Sequence, residues 1–103
     1  MDMTEEQKFS EKASDYGIPK HMHRPAFRYV KYGEIGGSFL TALLENDFMD
    51  IMGKADDKNR RALKNWARFI YNALPSGCWG SREQVIRWSE NGGMSQWDGK
   101  DRP

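Results

Sequence analysis

The sequence predicts an all-α protein, a compact bundle of three to four helices with a flexible N-terminal arm and C-terminal tail. Three observations carry that expectation. Apolar residues recur at helical spacing in several stretches, each stretch opens on a residue suited to a helix start, and glycine or proline stands where each should stop. The expected division is an acidic arm over residues 1–19, a helical domain over 20–93 and a tail over 94–103.

Residues 1–19 are polar, lack a clear apolar period and finish in Gly17-Ile-Pro19. They read as a mobile arm or a short, weakly held helix. The first firm helix is expected over His21–Tyr32, with Pro25 in its first turn and Gly33 as a left-handed stop. Met22, Ala26, Tyr29 and Val30 would share its buried face. Phe27–Tyr32 also alternates enough to suggest a strand, and the helix is preferred.

The second helix is expected to begin at Ser38, whose hydroxyl can cap it. Leu40, Leu43, Leu44, Phe48, Ile51 and Met52 form a broad apolar face, and Gly53 is the expected stop. Asp56 or Asp57 caps a third helix that Pro75 ends. Leu63, Trp66, Ala67, Ile70 and Leu74 make its buried stripe, which Ala62, Phe69 and Ala73 widen beyond half the girth. That width predicts two packing neighbours, one of them a second copy of the chain. Ser81 and Gln84 form a capping box that opens a short helix through Trp88, closed by Asn91-Gly-Gly93. Trp97 in the tail is expected either to dock or to stand exposed.

With 103 residues the chain is one domain with a modest core, a size at which oligomerisation commonly adds stability. A charged fraction of 30% against 38% hydrophobic residues is ordinary for a globular protein and argues against wholesale disorder. Four Trp, four Tyr and five Phe exceed what so small a core can enclose, so some should line an interface. The net charge of +1 by itself points to neither nucleic acid nor membrane. Its distribution says more: residues 1–15 carry five acids against two lysines, while residues 54–68 carry six bases against two acids. No apolar stretch approaches the length of a membrane span and no signal-peptide pattern opens the chain, so a cytosolic setting without a membrane partner is expected.

Candidate chemistry is sparse. Gly36-Gly37-Ser38 lacks the lysine of a phosphate-binding loop and reads as a tight connection between helices. His21 and His23 are two residues apart without further ligands nearby, so no metal and no cofactor are expected. Cys78, the one cysteine, has no histidine close in sequence and reads as a packing residue. Asn46, Asp47 and Asp50 fall in the C-terminal half of the expected second helix, where the dipole disfavours negative charge. They are expected to join an interhelical network with the bases of the third helix. Those bases are the main functional candidate. Arg60, Lys64 and Arg68 follow at four-residue steps with Arg61 beside them, forming one cationic ridge about three turns long. Such a ridge can be a solvated face, or it can capture phosphates or an acidic protein surface, with Tyr71 and Trp79 placed to stack on a base. Catalysis is not expected.

The run Gly37-Ser-Phe-Leu-Thr-Ala-Leu-Leu-Glu-Asn-Asp47, then Ala55-Asp56, Asn59, Tyr71-Asn72, Pro75 and Cys78-Trp-Gly-Ser81, resembles a group of small phage and prophage proteins. The likeness covers about residues 22–93, and Cys-Trp-Gly-Ser is its most specific part. The resemblance implies a mobile-element origin, a helical fold and expression in a bacterial cytoplasm; it transfers no catalytic or binding residue. The resulting expectation is a non-enzymatic accessory protein, homo-oligomeric, that inhibits or sequesters a host component. The target would be a host protein such as a defence factor, or a phosphate-bearing small molecule such as a cyclic nucleotide signal. The alternative is a small nucleic-acid-binding regulator that uses the third helix.

Overall fold

The computed structural model describes residues 3–94, and among them all regular structure is helical. Seven α-helices follow one another: α1 (Glu5–Asp15), α2 (His23–Tyr32), α3 (Ser38–Glu45), α4 (Phe48–Lys54), α5 (Asp57–Arg61), α6 (Leu63–Ala73) and α7 (Arg82–Glu90). Single 3-10 turns at Lys20–Met22 and Ser76–Cys78 lead into α2 and into the connection before α7. The count exceeds the three or four expected because α1 belongs to the fold and two expected helices each divide.

The first correction concerns residues 1–19. Thr4 and Gln7 form a complete capping box at the start of α1, and Glu5 and Glu6 sit where the helix dipole favours acids. Phe9 and Ala13, one turn apart, are both fully buried. Phe9 meets Phe27 of α2 edge-on at 5.5 Å and Phe69 of α6 at 5.7 Å. A half-buried ion pair from Lys31 to Glu5 adds a second tie to α2. The expected arm is therefore part of the core. Trp97 lies outside the described residues.

Helix α2 keeps its expected face and stop: Ala26, Tyr29 and Val30 are buried, and Gly33 is left-handed at φ 73°. The strand considered for Phe27–Tyr32 is absent. The second expected helix differs twice. Gly37, not Ser38, is its N-cap, and Ser38 makes no capping bond. It also stops at Asn46, which turns left-handed at φ 60°, rather than running on to Gly53. Asp47 then caps α4 by accepting from the Asp50 backbone N–H at 3.2 Å. Asparagine and aspartate perform these two roles because their short polar side chains tolerate the left-handed region and satisfy open N–H groups. Asn46→Gly should accordingly melt at or above the wild-type temperature, while Asn46→Val should lose about 1–2 kcal/mol in urea unfolding.

The third expected helix also divides. Asp56 caps α5, accepting from the Asn59 N–H at 2.7 Å. The axis is then offset at Ala62 (φ −99°, ψ 11°), where Asn59 turns inward to accept from the Trp66 indole N–H at 3.0 Å. Helix α6 buries Trp66, Phe69, Ile70 and Ala73. Part of its wide girth serves neighbours within the chain: Phe69 meets Phe9 and Tyr16 on the α1 side, and Trp66 meets Phe39 of α3 at 6.1 Å.

The Cys78-Trp-Gly-Ser81 segment fastens the C-terminal part to this core. The Tyr29 phenol donates to the Cys78 carbonyl at 2.7 Å, and burial raises its pKa above the ordinary tyrosine value. The Gly80 N–H donates to the Leu44 carbonyl at 2.8 Å. Gly80 sits at φ 124°, a backbone conformation that strains any residue with a side chain, so glycine is favoured there. Ser81 caps α7 as expected, accepting from the Gln84 N–H at 3.2 Å. The Trp88 indole N–H then donates to the Tyr29 carbonyl at 3.0 Å.

Candidate functional site

The left-handed cap at Asn46 redirects the chain, so α4 packs on α3 while leaving an open cleft towards α6. Phe48, Ile51 and Met52 form one wall of this groove and Leu63, Ala67 and Ile70 the other. Leu43 and Trp79 complete an apolar lining around a cavity of about 290 Å³, where Asn46 is the one polar residue among the nine that line it. Phe48 is 69% exposed, Met49 75% and Met52 45%, so the crest and inner flank of α4 place three large apolar side chains in water. A contiguous patch of this kind marks an interaction surface more than solitary exposed residues do.

Helix geometry places the α6 rim. At 100° per residue, Leu63, Ala67 and Ile70 share a line, and Tyr71 and Lys64 follow it outwards, both exposed. The Tyr71 ring lies 6.2 Å from that of Trp79. Of the six residues singled out from sequence, Trp79 lines the groove with Tyr71 beside it, and Lys64 shares the Tyr71 side of α6. The other three are not gathered there. Arg60 and Arg61 belong to α5, beyond the offset at Ala62, and Arg60 is paired with Asp57. Arg68 stacks its guanidinium over Tyr16, 5.7 Å from the ring centre. The expected single ridge is a set of exposed bases, two of which have partners in the chain.

The expected network of Asn46, Asp47 and Asp50 with those bases does not form. Asn46 ends α3, Asp47 caps α4, and the Asp50 carboxylate accepts from Lys54 on its own helix at 3.4 Å. The helix break explains this: both aspartates stand at the N-terminus of a new helix, where negative charge is favourable without interhelical partners. Asp56 instead reaches His21, 35 residues away, with its Oδ2 3.1 Å from the His21 Nε2. The Asn59 N–H, followed by His21, holds the Asp56 carboxyl below its ordinary pKa.

A second, smaller cavity of about 190 Å³ lies among Glu6, Ser10, Lys20, His23 and Arg24. His23 is buried with its Nε2 2.8 Å from the Ile18 carbonyl and its Nδ1 2.7 Å from the Ser10 hydroxyl. A carbonyl only accepts, so Nε2 carries the proton and, in the neutral ring, Nδ1 accepts from Ser10. Both nitrogens are committed, which removes His23 as a metal ligand. No group of three His, Cys, Asp or Glu among the described residues could hold a metal ion. A Ser–His contact is also the beginning of a nucleophilic pair. Here Ser10 stands in the middle of α1, where backbone N–H groups serve the helix and cannot form a main-chain oxyanion hole beside it. Cys78 is fully buried and offers no exposed thiol.

Sequence reasoning missed Phe48, Met49 and Met52 as surface residues. The signal that could have found them is Asn46-Asp47, a left-handed stop followed directly by an N-cap. No protein-family model matches the chain, and no curated protein or solved structure matches it either. No helix among the described residues is long and apolar enough to cross a membrane.

Proposed function

We propose that this chain acts by binding a protein partner in the α4–α6 groove and performs no reaction of its own. The observation that supports the reading is the exposed apolar rim of Phe48, Met49 and Met52 beside an apolar cavity of about 290 Å³. A groove of this form suits an amphipathic helix that inserts a few apolar anchors. Lys64 on the outer rim favours an acidic flank on the partner. Methionine suits such a site because its flexible thioether adapts to different anchors. The resemblance to small phage and prophage proteins supplies the setting: the cytoplasm of a bacterial host, with a host component such as a defence factor inhibited by occupation.

The nucleic-acid alternative has less support, because Arg60 and Arg68 are engaged by Asp57 and Tyr16. Capture of a cyclic nucleotide or other phosphate-bearing molecule would rest on Lys64 with Tyr71 and Trp79. Affinity capture from host lysate separates these readings. Met52→Glu should abolish capture of a specific protein while leaving the melting temperature nearly unchanged, since exposed substitutions usually shift stability by less than about 0.5 kcal/mol. Reversal of Arg60, Lys64 and Arg68 to Glu should weaken that capture without abolishing it. If the triple reversal alone removes the bound material, and that material is nucleic acid or nucleotide, the groove reading fails.

A further inference from the structure

We infer that the cavity between α1 and α2 binds a phosphate group, and that binding is coupled to protonation of the buried His23. The site shares no lining residue with the α4–α6 groove and does not depend on what that groove binds.

The lining carries surplus positive charge. Glu6 and Ser10 come from α1, Lys20 from the 3-10 turn, and His23 and Arg24 from the first turn of α2, around a cavity of about 190 Å³. Glu6 is the one carboxylate among these five and stands against two cations. Its Oε2 lies 3.9 Å from Arg24 Nε, a long contact for an ion pair. Lys20 and Arg24 are exposed, so the cavity meets water on their side, whereas His23 is buried. An ammonium, a guanidinium fork and a hydroxyl from three separate elements suit an anion with several oxygens pointing apart. Phosphate offers three or four such oxygens and nearly two charges, while a carboxylate offers two oxygens in one plane.

The Ser10–His23 pair supplies a donor that can be switched on. With the ring neutral, the Ser10 hydroxyl directs its hydrogen to Nδ1 at 2.7 Å. In either charge state Nε2–H donates to the Ile18 carbonyl at 2.8 Å. When Nδ1 takes a proton from solvent it donates to Ser10 Oγ, because a hydroxyl can accept as well as donate. The hydroxyl hydrogen is then released and can turn to an anion in the cavity. Of the charges facing the ring, Glu6 on α1 favours its protonated form, and Lys20 on the turn and Arg24 on α2 oppose it. A bound phosphate group adds negative charge and tips that balance towards protonation. By linkage, the protonated ring binds the anion more tightly. The ligand also bridges α1 to α2, adding a tie to those made by Phe9 and Glu5.

Sulfate is the probe for this coupling, because it stays a dianion from about pH 5.5 to 8 whereas phosphate itself titrates there. Titration calorimetry on the full chain, with ionic strength held constant by chloride, should show saturable binding of sulfate. Affinity should be at least about tenfold higher at the acid end of that range. At fixed neutral pH, sulfate should move the His23 ring signals in proton NMR towards the charged form. Those of His21, whose Nε2 lies against Asp56, should stay in place. Lys20→Gln and Arg24→Gln should each weaken binding at least about tenfold, Glu6→Gln should tighten it, and acetate should bind far more weakly. Both cation variants alter exposed side chains and should melt with the wild type, so lost binding is not lost folding. Inorganic phosphate and glycerol phosphate, compared at neutral pH, identify the source of the group. Equal affinities assign a phosphomonoester with its remainder in water, rejection of the ester assigns the free ion, and either supports the site. Sulfate that fails to saturate, binding indifferent to Lys20→Gln and Arg24→Gln, or bound sulfate with the His23 signals unmoved overturns the inference.

Discussion

Trp66→Ala should abolish most of the stability of this protein. The indole is fully buried between Phe39 and Phe69, with ring centres at 6.1 and 6.2 Å, and donates its N–H to the buried Asn59. Truncation opens a cavity, at a cost of about 3–5 kcal/mol for an aromatic residue. It also leaves the Asn59 amide oxygen without its partner, adding about 1–3 kcal/mol. Domains of this size are held by about 5–15 kcal/mol, so the variant should unfold at a much lower urea concentration or lose cooperative unfolding altogether. Trp66→Phe should cost less, because it keeps a ring and loses chiefly the hydrogen bond. Combining Trp66→Phe with Asn59→Ala should cost less than the two singles together, as expected for contacting residues. A Trp66→Ala chain that melts within a few degrees of the wild type would refute the packing described for α6.

Phe9→Ala should be nearly as damaging, at about 3–5 kcal/mol. Its ring is fully buried and lies edge-on to both Phe27 and Phe69, so the deletion removes two aromatic contacts as well as apolar burial. Met3, which is exposed, is the control: Met3→Ala should leave the urea midpoint in place. Removal of residues 1–15 should behave like Phe9→Ala or worse. If the truncated chain instead retains the wild-type midpoint, α1 is an appendage and the six remaining helices form a self-sufficient core.

Part of the proposed binding surface was visible in the chain and part was not. Lys64, Tyr71 and Trp79 could be named from residue type and spacing, and the rings of Tyr71 and Trp79 lie 6.2 Å apart in the structure. The continuity of the basic ridge could not be judged, because it depends on Asp57 accepting from Arg60 and on Tyr16, far away in sequence, lying beneath Arg68. The α4 wall was read as one apolar face with α3 because apolar spacing from Leu40 to Met52 continues through Asn46-Asp47 almost without a phase change.

What the sequence by itself determined is local. It set the helical class, the stop at Gly33, the caps at Asp56 and Ser81, and the end of α6 before Pro75, because each depends on residues within about one turn. Only the tertiary structure decided which apolar residues lie inside. Phe9, isolated in a polar stretch, is buried because α2 and α6 bring Phe27 and Phe69 to it across the fold. Phe48 and Met49, within a strongly apolar stretch, are exposed because one left-handed residue turns their helix away from α6. Burial depends on which elements meet, and that geometry is summed over the whole chain rather than written in any one segment.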